Sequence, residues 1–219
     1  MAHSAHVGGC CDPRGCDLIF GRRFARGRAS RYRRRGLDRT ARRIVDLLAE
    51  TGVDGATVLE IGGGVGEIQL ELLERGAVSA TNLELSPAYD ADAERLIAEK
   101  GLTGRVRRRL LDLAVDPTAV DPADVVVLHR VVCCYPDYAR LLSAAAGRAR
   151  KHLVFSHPPR NLVSRAFVAT QNLMLRFSGN EFRTFTHPPA AMLAVLAENG
   201  MSVRAAGGGR LWKVVALAR

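Results

Sequence analysis

Apolar positions along the chain fall into two alternating kinds of spacing. Residues 57–61 form an apolar-rich run that ends in glycines, and residues 67–75 then place Ile68, Leu72 and Leu73 on one helical face before Gly76 stops the pattern. This predicts a strand followed by a helix. Further on, residues 78–85 predict a second strand, 91–100 a helix closed by Gly101, 105–111 a third strand and 124–128 a fourth, fully buried one. Residues 138–149 read as a helix and 153–156 as a fifth strand. Residues 161–177 read as a longer amphipathic helix with Leu162, Ala166, Phe167, Leu173, Met174 and Phe177 on its apolar side. Pro188 suits a helix start, so residues 190–199 predict a helix stopped by Gly200. Two last strands, 202–206 and 211–218, are joined by Gly207, Gly208 and Gly209 as a closing hairpin. The alternation predicts an α/β fold, with a mostly parallel, doubly wound sheet of seven strands, helices on both faces and a reversed C-terminal strand.

Composition narrows this picture only a little. The 219 residues are 47% hydrophobic, which fits one sizeable globular domain with a buried core. No apolar run reaches the roughly 18 residues of a membrane span, and the opening MAHSAHVGGCC lacks a basic-then-apolar secretory pattern, so the expected compartment is cytoplasmic. Charge changes the picture more. Between Arg22 and Arg43 lie eleven arginines and one acid, Asp38, which accounts for the whole net charge of +10 and leaves the rest of the chain neutral. Phe20, Phe24, Tyr32, Leu37, Ile44, Leu47 and Leu48 are interleaved with these arginines, so the segment is expected to fold as helices that bury one side. Residues 1–36 are accordingly read as a Cys/Arg-rich N-terminal arm and a possible active-site lid, and residues 37–219 as the main domain. Such an arm suits an anionic substrate, a membrane surface or RNA phosphates, or is simply a solvated face.

The glycine turn is the most informative stretch. It follows the first strand, opens a helix, and is followed eighteen residues after Gly66 by Glu84, near the end of the second strand. Glycines there let a backbone approach a ligand closely, and an acid at that distance can accept hydrogen bonds from a ribose. The turn reads Glu60-Ile61-Gly62-Gly63-Gly64-Val65-Gly66, with a carboxylate just before the glycines. That acid would repel a pyrophosphate and suits an ammonium or sulfonium ligand.

These residues resemble the class I S-adenosylmethionine-dependent methyltransferases, whose first motif looks like [ED]xGxGxG, over roughly residues 37–219. The resemblance implies a Rossmann-like fold and S-adenosyl-L-methionine as cofactor. It further implies that Glu60, Gly62, Gly63, Gly64 and Gly66 hold the methionine part and that Glu84 takes the ribose hydroxyls. Leu85 would border the adenine, Asp112 and Leu113 would cap its edge, and His129 and Arg130 would face the cofactor's other side. HRVVCCYPDYARLL, HLVFSHPP and FRTFTHPPAAMLAVLAENGMSV are similar to segments of the magnesium-protoporphyrin O-methyltransferases and their relatives. Tyr135 and Pro136 match the His-Tyr-Pro triplet of that group, while Cys134 stands at its histidine. Tyr32 looks like that group's active-site tyrosine.

Methyl transfer asks a protein mainly to align a nucleophile and exclude water, with a base where the nucleophile carries a proton. Tyr32, His129 and Cys134 are therefore the catalytic candidates, and Arg130 could hold a substrate anion. His129 capping a strand end and Arg130 as a surface charge are the structural alternatives. The arm is expected to close over the cofactor, bringing Tyr32 near the methyl group and Cys10, Cys11 and Cys16 towards the mouth. The five cysteines, with Cys133 and Cys134, are read as free thiols without a metal; adjacent Cys-Cys is not the usual CxxC spacing of a zinc site. His157-Pro-Pro and His187-Pro-Pro read as a rigid turn and a helix start. The expected partner is a small-molecule methyl acceptor, with oxygen ahead of sulfur or nitrogen, roofed by the 161–177 helix. The alternative is an RNA-binding protein or RNA methyltransferase that uses the arginine arm.

Overall fold

The computed structural model describes residues 19–219. Cys10, Cys11 and Cys16 lie outside the described residues. Two helices come first, α1 (Arg22–Arg35) and α2 (Arg39–Glu50). Asp38 separates them and caps α2 by accepting hydrogen bonds from the Thr40 and Ala41 amides at 2.9 and 3.0 Å. The α/β body then runs β1 (Thr57–Ile61), α3 (Glu67–Glu74), β2 (Ser79–Glu84), α4 (Asp90–Glu99), β3 (Val106–Leu110), β4 (Ala123–Leu128), α5 (Tyr138–Arg148) and β5 (Ala149–His157). It closes with α6 (Leu162–Phe177), α7 (Pro189–Glu198), β6 (Ser202–Gly208) and β7 (Lys213–Ala218).

All seven strands form one sheet in the order β3-β2-β1-β4-β5-β7-β6. β7 alone runs against its neighbours β5 and β6, and the pairs among β1 to β5 are parallel. The chain steps outwards from β1 to β3 and then returns to place β4 on the other side of β1. This reversal opens a crevice beyond the carboxyl ends of β1 and β4, where ligands of such sheets bind.

Strand alternation builds two cores. Val58, Val125, Val127 and Val154 face one layer with Ile44, Leu48, Ile68 and Leu72, while Leu59, Val126, Leu128 and Phe155 face the other with Leu141, Leu142 and Leu196. The central strands are apolar on both faces because helices cover both. α1 belongs to the first layer. It buries Ala25, Ala29 and Tyr32 and is tied to α4 through bidentate Arg33–Glu99 hydrogen bonds of 2.7 and 2.9 Å.

Three local differences from the sequence reading have physical causes. β5 starts at Ala149 instead of Leu153, because α5 ends directly into it and Lys151 is drawn to Asp124 at the start of β4, 3.1 Å away. Gly207 and Gly208 belong to β6, so the hairpin turn falls on residues 209–212. A side chain at Gly207 would meet the Arg43 guanidinium at 2.6 Å, so this glycine marks a close approach within a strand. Finally, α6 has no buried residue. Residues 178–188, between α6 and α7, run without regular structure and carry Phe182, which is buried. Among the described residues no helix is long and apolar enough to cross a membrane.

Candidate active site

The crevice at the ends of β1 and β4 is a cavity lined from Glu60 to Val65, from Leu83 to Ser86, by Leu111 to Leu113 and by His129 to Val131. Arg28, Glu67, Ile68, Tyr89, Cys134, Tyr135, Leu141, Phe20, Phe24 and Phe182 complete its wall. Every cofactor residue expected from the sequence lies in this wall except Gly66, which starts α3 in a left-handed conformation.

The loop after β1 explains its own glycines. Gly62 and Gly64 have φ of 61° and 57°, and a side chain at Gly63 would sit 2.2 Å from the Asn82 amide nitrogen. The backbone therefore passes directly over polar groups on β2. Arg108 on β3 fastens the loop from outside, donating to the Gly64 carbonyl at 3.0 Å while paired with Asp90. Glu84 fastens it from inside, accepting from the Gly64 and Leu85 amides.

Glu60 is the most informative group. It is 2% exposed, accepts one hydrogen bond from the Gln69 amide at 3.1 Å, and has no cation paired with it among the described residues. Burial, reinforced by the nearby Glu67 and Glu84 carboxylates, pushes its pKa up to about 8. Glu84 and Glu67 are raised as well, in both cases chiefly by burial. Three acids around one loop, of which only Glu67 is paired with a cation among the described residues, make a donor set suited to a cationic ligand with hydroxyls. S-adenosylmethionine, with an ammonium, a sulfonium and a ribose, has that chemistry, and the residues present fit it.

Across the cavity, the end of β4 turns sharply. Arg130 is the one non-glycine residue with positive φ, 62°, among the described residues. Its guanidinium leaves the cavity floor to pair with Asp38 at 2.8 Å and to lie 5.1 Å from the centre of the Trp212 ring. The expected anion-holding charge is thus already engaged. Burial pushes the Asp38 carboxyl up, but the Ala41 amide and Arg130 outweigh it and hold the group below its ordinary range. The Arg130 carbonyl receives both neighbouring thiols, Cys133 at 3.7 Å and Cys134 at 3.8 Å.

His129 precedes this turn. Its Nδ1 lies 3.0 Å from Ser156 Oγ, which accepts the Arg130 amide at 2.9 Å. Its Nε2 is buried and makes no hydrogen bond. Burial, and then the Arg130 charge, lower its pKa to about 3, so the ring is neutral at pH 7.

The arm covers the site with different residues from those expected. Arg28 reaches the cavity and forms an ion pair with Glu67 at the start of α3, with Asp38 3.9 Å away. Phe20 stacks edge-on against Phe24 and Phe182 at 5.4 and 5.3 Å. Tyr32 is not in the wall: its hydroxyl donates to Glu71 on α3 at 2.7 Å, and Lys100 sits over its ring. Burial and Glu71 raise its pKa far above the ordinary value, so it stays a phenol. One helical turn separates it from Arg28, and the side of α1 it occupies faces α3 and α4.

Helix α6 is not in the wall either; Phe182 of the following segment takes the position assigned to it. Asp112 is in the wall, with its carboxylate accepting from the Tyr135 hydroxyl at 3.0 Å and the Ala114 amide at 2.9 Å. Leu85 and Leu113 add apolar surface beside it. His187 holds the Tyr135 carbonyl at 3.0 Å, and His157 the Pro158 carbonyl at 2.9 Å.

A seven-stranded sheet of this order, with a glycine loop between two acids at its switch point, defines the class I S-adenosylmethionine-dependent methyltransferase fold. The methyltransferase domain family model matches residues 31–204, and the chain belongs to that family. Among curated proteins, none matches the sequence. Among solved structures, the chain is similar to magnesium protoporphyrin IX methyltransferase from Synechocystis with bound S-adenosylhomocysteine. The TM-score is 0.71 at 21% identity, covering 93% of this chain and 99% of that one. It is also similar to an O-methyltransferase family protein from Burkholderia thailandensis, with TM-score 0.66 and 23% identity, covering 83% of this chain and 56% of that one. An O-methyltransferase family 2 protein from Planctomyces limnophilus, in complex with apigenin, gives TM-score 0.59 at 19% identity over 84% of this chain and 62% of that one.

Proposed function

We propose that the protein transfers a methyl group from S-adenosylmethionine to an anionic oxygen, carboxylate or phenolate, of a small molecule held under the arm. When bound, the cofactor supplies a methyl group already activated by sulfonium. Glu60 takes its ammonium, Glu84 its ribose hydroxyls, and Leu85, Asp112 and Leu113 border the base. Phe20, Phe24 and Phe182 close the cavity, exclude water and offer an apolar surface for the body of the acceptor.

The observation that carries the oxygen reading is the buried Nε2 of His129, which has no hydrogen-bond partner on a residue that lines the cavity. Ser156 Oγ already accepts from the Arg130 amide and has one proton to give. Given to His129 Nδ1, that proton leaves Nε2–H as an unused donor on a residue of the cavity wall, available to the acceptor. A neutral donor orients an oxygen anion in line with the methyl group and removes no proton. An acceptor that is already anionic needs no base, which suits an imidazole held neutral. Cys134, beside it in the wall, sets the width of the acceptor end.

The RNA reading draws on exposed arginines of α1, among them Arg22, Arg23, Arg26 and Arg31. A cavity closed by three phenylalanines suits a small molecule better than a strand. A mass-spectrometric screen of carboxylic acids, phenols, amines, thiols and RNA with the purified protein decides between them. A product carrying one added methyl on oxygen is expected, with His129→Ala lowering turnover about a hundredfold through loss of orientation. Methylation of RNA or of nitrogen, or an unaffected His129→Ala variant, contradicts the reading.

A further inference from the structure

Helix α6 is a sixteen-residue helix with no buried residue, although ten of its side chains are apolar. Leu162, Val163, Phe167, Leu173, Met174 and Phe177 are 80, 78, 68, 53, 66 and 83% exposed. Val163, Phe167, Met174 and Phe177 follow helical spacing and make one stripe, widened by Leu162 and Leu173. Arg160, Arg165 and Arg176 are exposed around it, and the segment from 160 to 180 contains no acid. A patch of this size on a globular protein marks something that covers it.

Beyond the stripe the chain turns inward, since Phe182, five residues after Phe177, is 5% exposed and packs on Phe20. The exposed apolar surface is therefore that of α6 itself, with Glu181 the first acid to follow it.

We infer that this face docks on an anionic lipid bilayer, with the α6 stripe in the interface and the arginines on lipid phosphates. Helices of this make-up, apolar on one side with cationic flanks, lie in the plane of such interfaces. Charge argues against a second copy, because apposing two α6 helices would set Arg165 and Arg176 against arginines with no acid between them. Residues 1–18 offer only Met1, Val7 and Leu18 as large apolar side chains, too few to cover six. Nucleic acid would use the arginines and leave the stripe uncovered.

Sedimentation of the full chain with vesicles tests the inference independently of methyl transfer. The vesicles are phosphatidylcholine alone, or phosphatidylcholine and phosphatidylglycerol in a three-to-one mixture. Binding at least tenfold tighter to the anionic vesicles, weakened by salt, is expected. Phe167→Asp with Met174→Asp should lower it at least tenfold while leaving S-adenosylhomocysteine binding unchanged. Phe177→Trp should shift its emission to the blue on anionic vesicles alone, which reads insertion without altering the charge of the helix. Equal pelleting of the double variant overturns the inference, as does an absence of pelleting. So does a dimer that the double variant dissociates, or binding of RNA without binding of vesicles.

Discussion

Glu60 is the residue on which the site turns. Below about pH 4.5 it is protonated in both the folded and unfolded chain; between there and about pH 8 the unfolded chain ionises first, so folding stability falls as pH rises. Glu67 and Glu84 are raised in the same direction and add to the slope. His129 opposes this fall, because its lowered pKa adds stability as pH rises through the ordinary histidine range, so the Glu60 contribution is read against a Glu60→Gln variant. The unliganded protein is expected to lose more melting temperature between pH 5 and pH 8 than that variant, and saturating S-adenosylhomocysteine should flatten the loss by bringing a cation to Glu60. Equal pH dependence in the two proteins would contradict the burial argument. Glu84→Ala should weaken cofactor binding by about 1.5–3 kcal/mol, the loss of charge-assisted hydrogen bonds, read by calorimetry. Tyr32→Phe is expected to leave turnover unchanged and to cost about 1 kcal/mol in denaturant unfolding, because the hydroxyl serves Glu71. Lost turnover with unchanged stability would return Tyr32 to the methyl group. The place of Glu60 and Glu84 in the cavity wall was legible because one precedes the glycine turn and the other ends the next strand. Tyr32 lies on the same side of α1 as Arg28 but one turn further along, where it meets Glu71 and not the cavity, and the sequence does not show how far along α1 the cavity reaches. Arg28, one turn earlier, does face it, yet it was one of eleven arginines in its segment with nothing local to single it out.

Elements reached across the molecule to complete the site, and α1 does so most clearly. Its Arg28–Glu67 ion pair and the Asp38–Arg130 pair beside it join the arm to α3, the cap of α2 and the end of β4. We expect the arm to act as a lid that this pair keeps shut. Arg28→Ala should lower turnover about tenfold and speed proteolysis of the arm, both measured on the full chain. Unchanged turnover and unchanged proteolysis in Arg28→Ala would make the ion pair a surface contact and not a latch. Strands with continuous apolar runs, β1 and β4 above all, could be read from the sequence, since both of their faces are covered. The segment 178–188 could not, because it has no period, and Phe182 owes its burial to Phe20 on another element.

At the scale of the whole molecule, the sheet order puts the ends of β1 and β4 side by side, and that juxtaposition brings Glu60 within one cavity of His129. The alternation of strands and helices made a doubly wound, mostly parallel sheet readable. Which outer elements close the cavity depended on packing that no local pattern records, so α6 was expected as a roof and instead lies outside with its apolar stripe exposed. The central claim is that the cavity takes a cationic nucleoside ligand at Glu60 and not a pyrophosphate. Calorimetric titration of the full chain with S-adenosylhomocysteine and with NAD, in buffers of differing ionisation enthalpy at pH 7, tests it most directly. The account predicts affinity on the order of micromolar for S-adenosylhomocysteine, proton release as Glu60 ionises beside the bound ammonium, and no binding of NAD. Binding of NAD without S-adenosylhomocysteine, or S-adenosylhomocysteine binding that a Glu60→Gln substitution leaves unchanged, would contradict it.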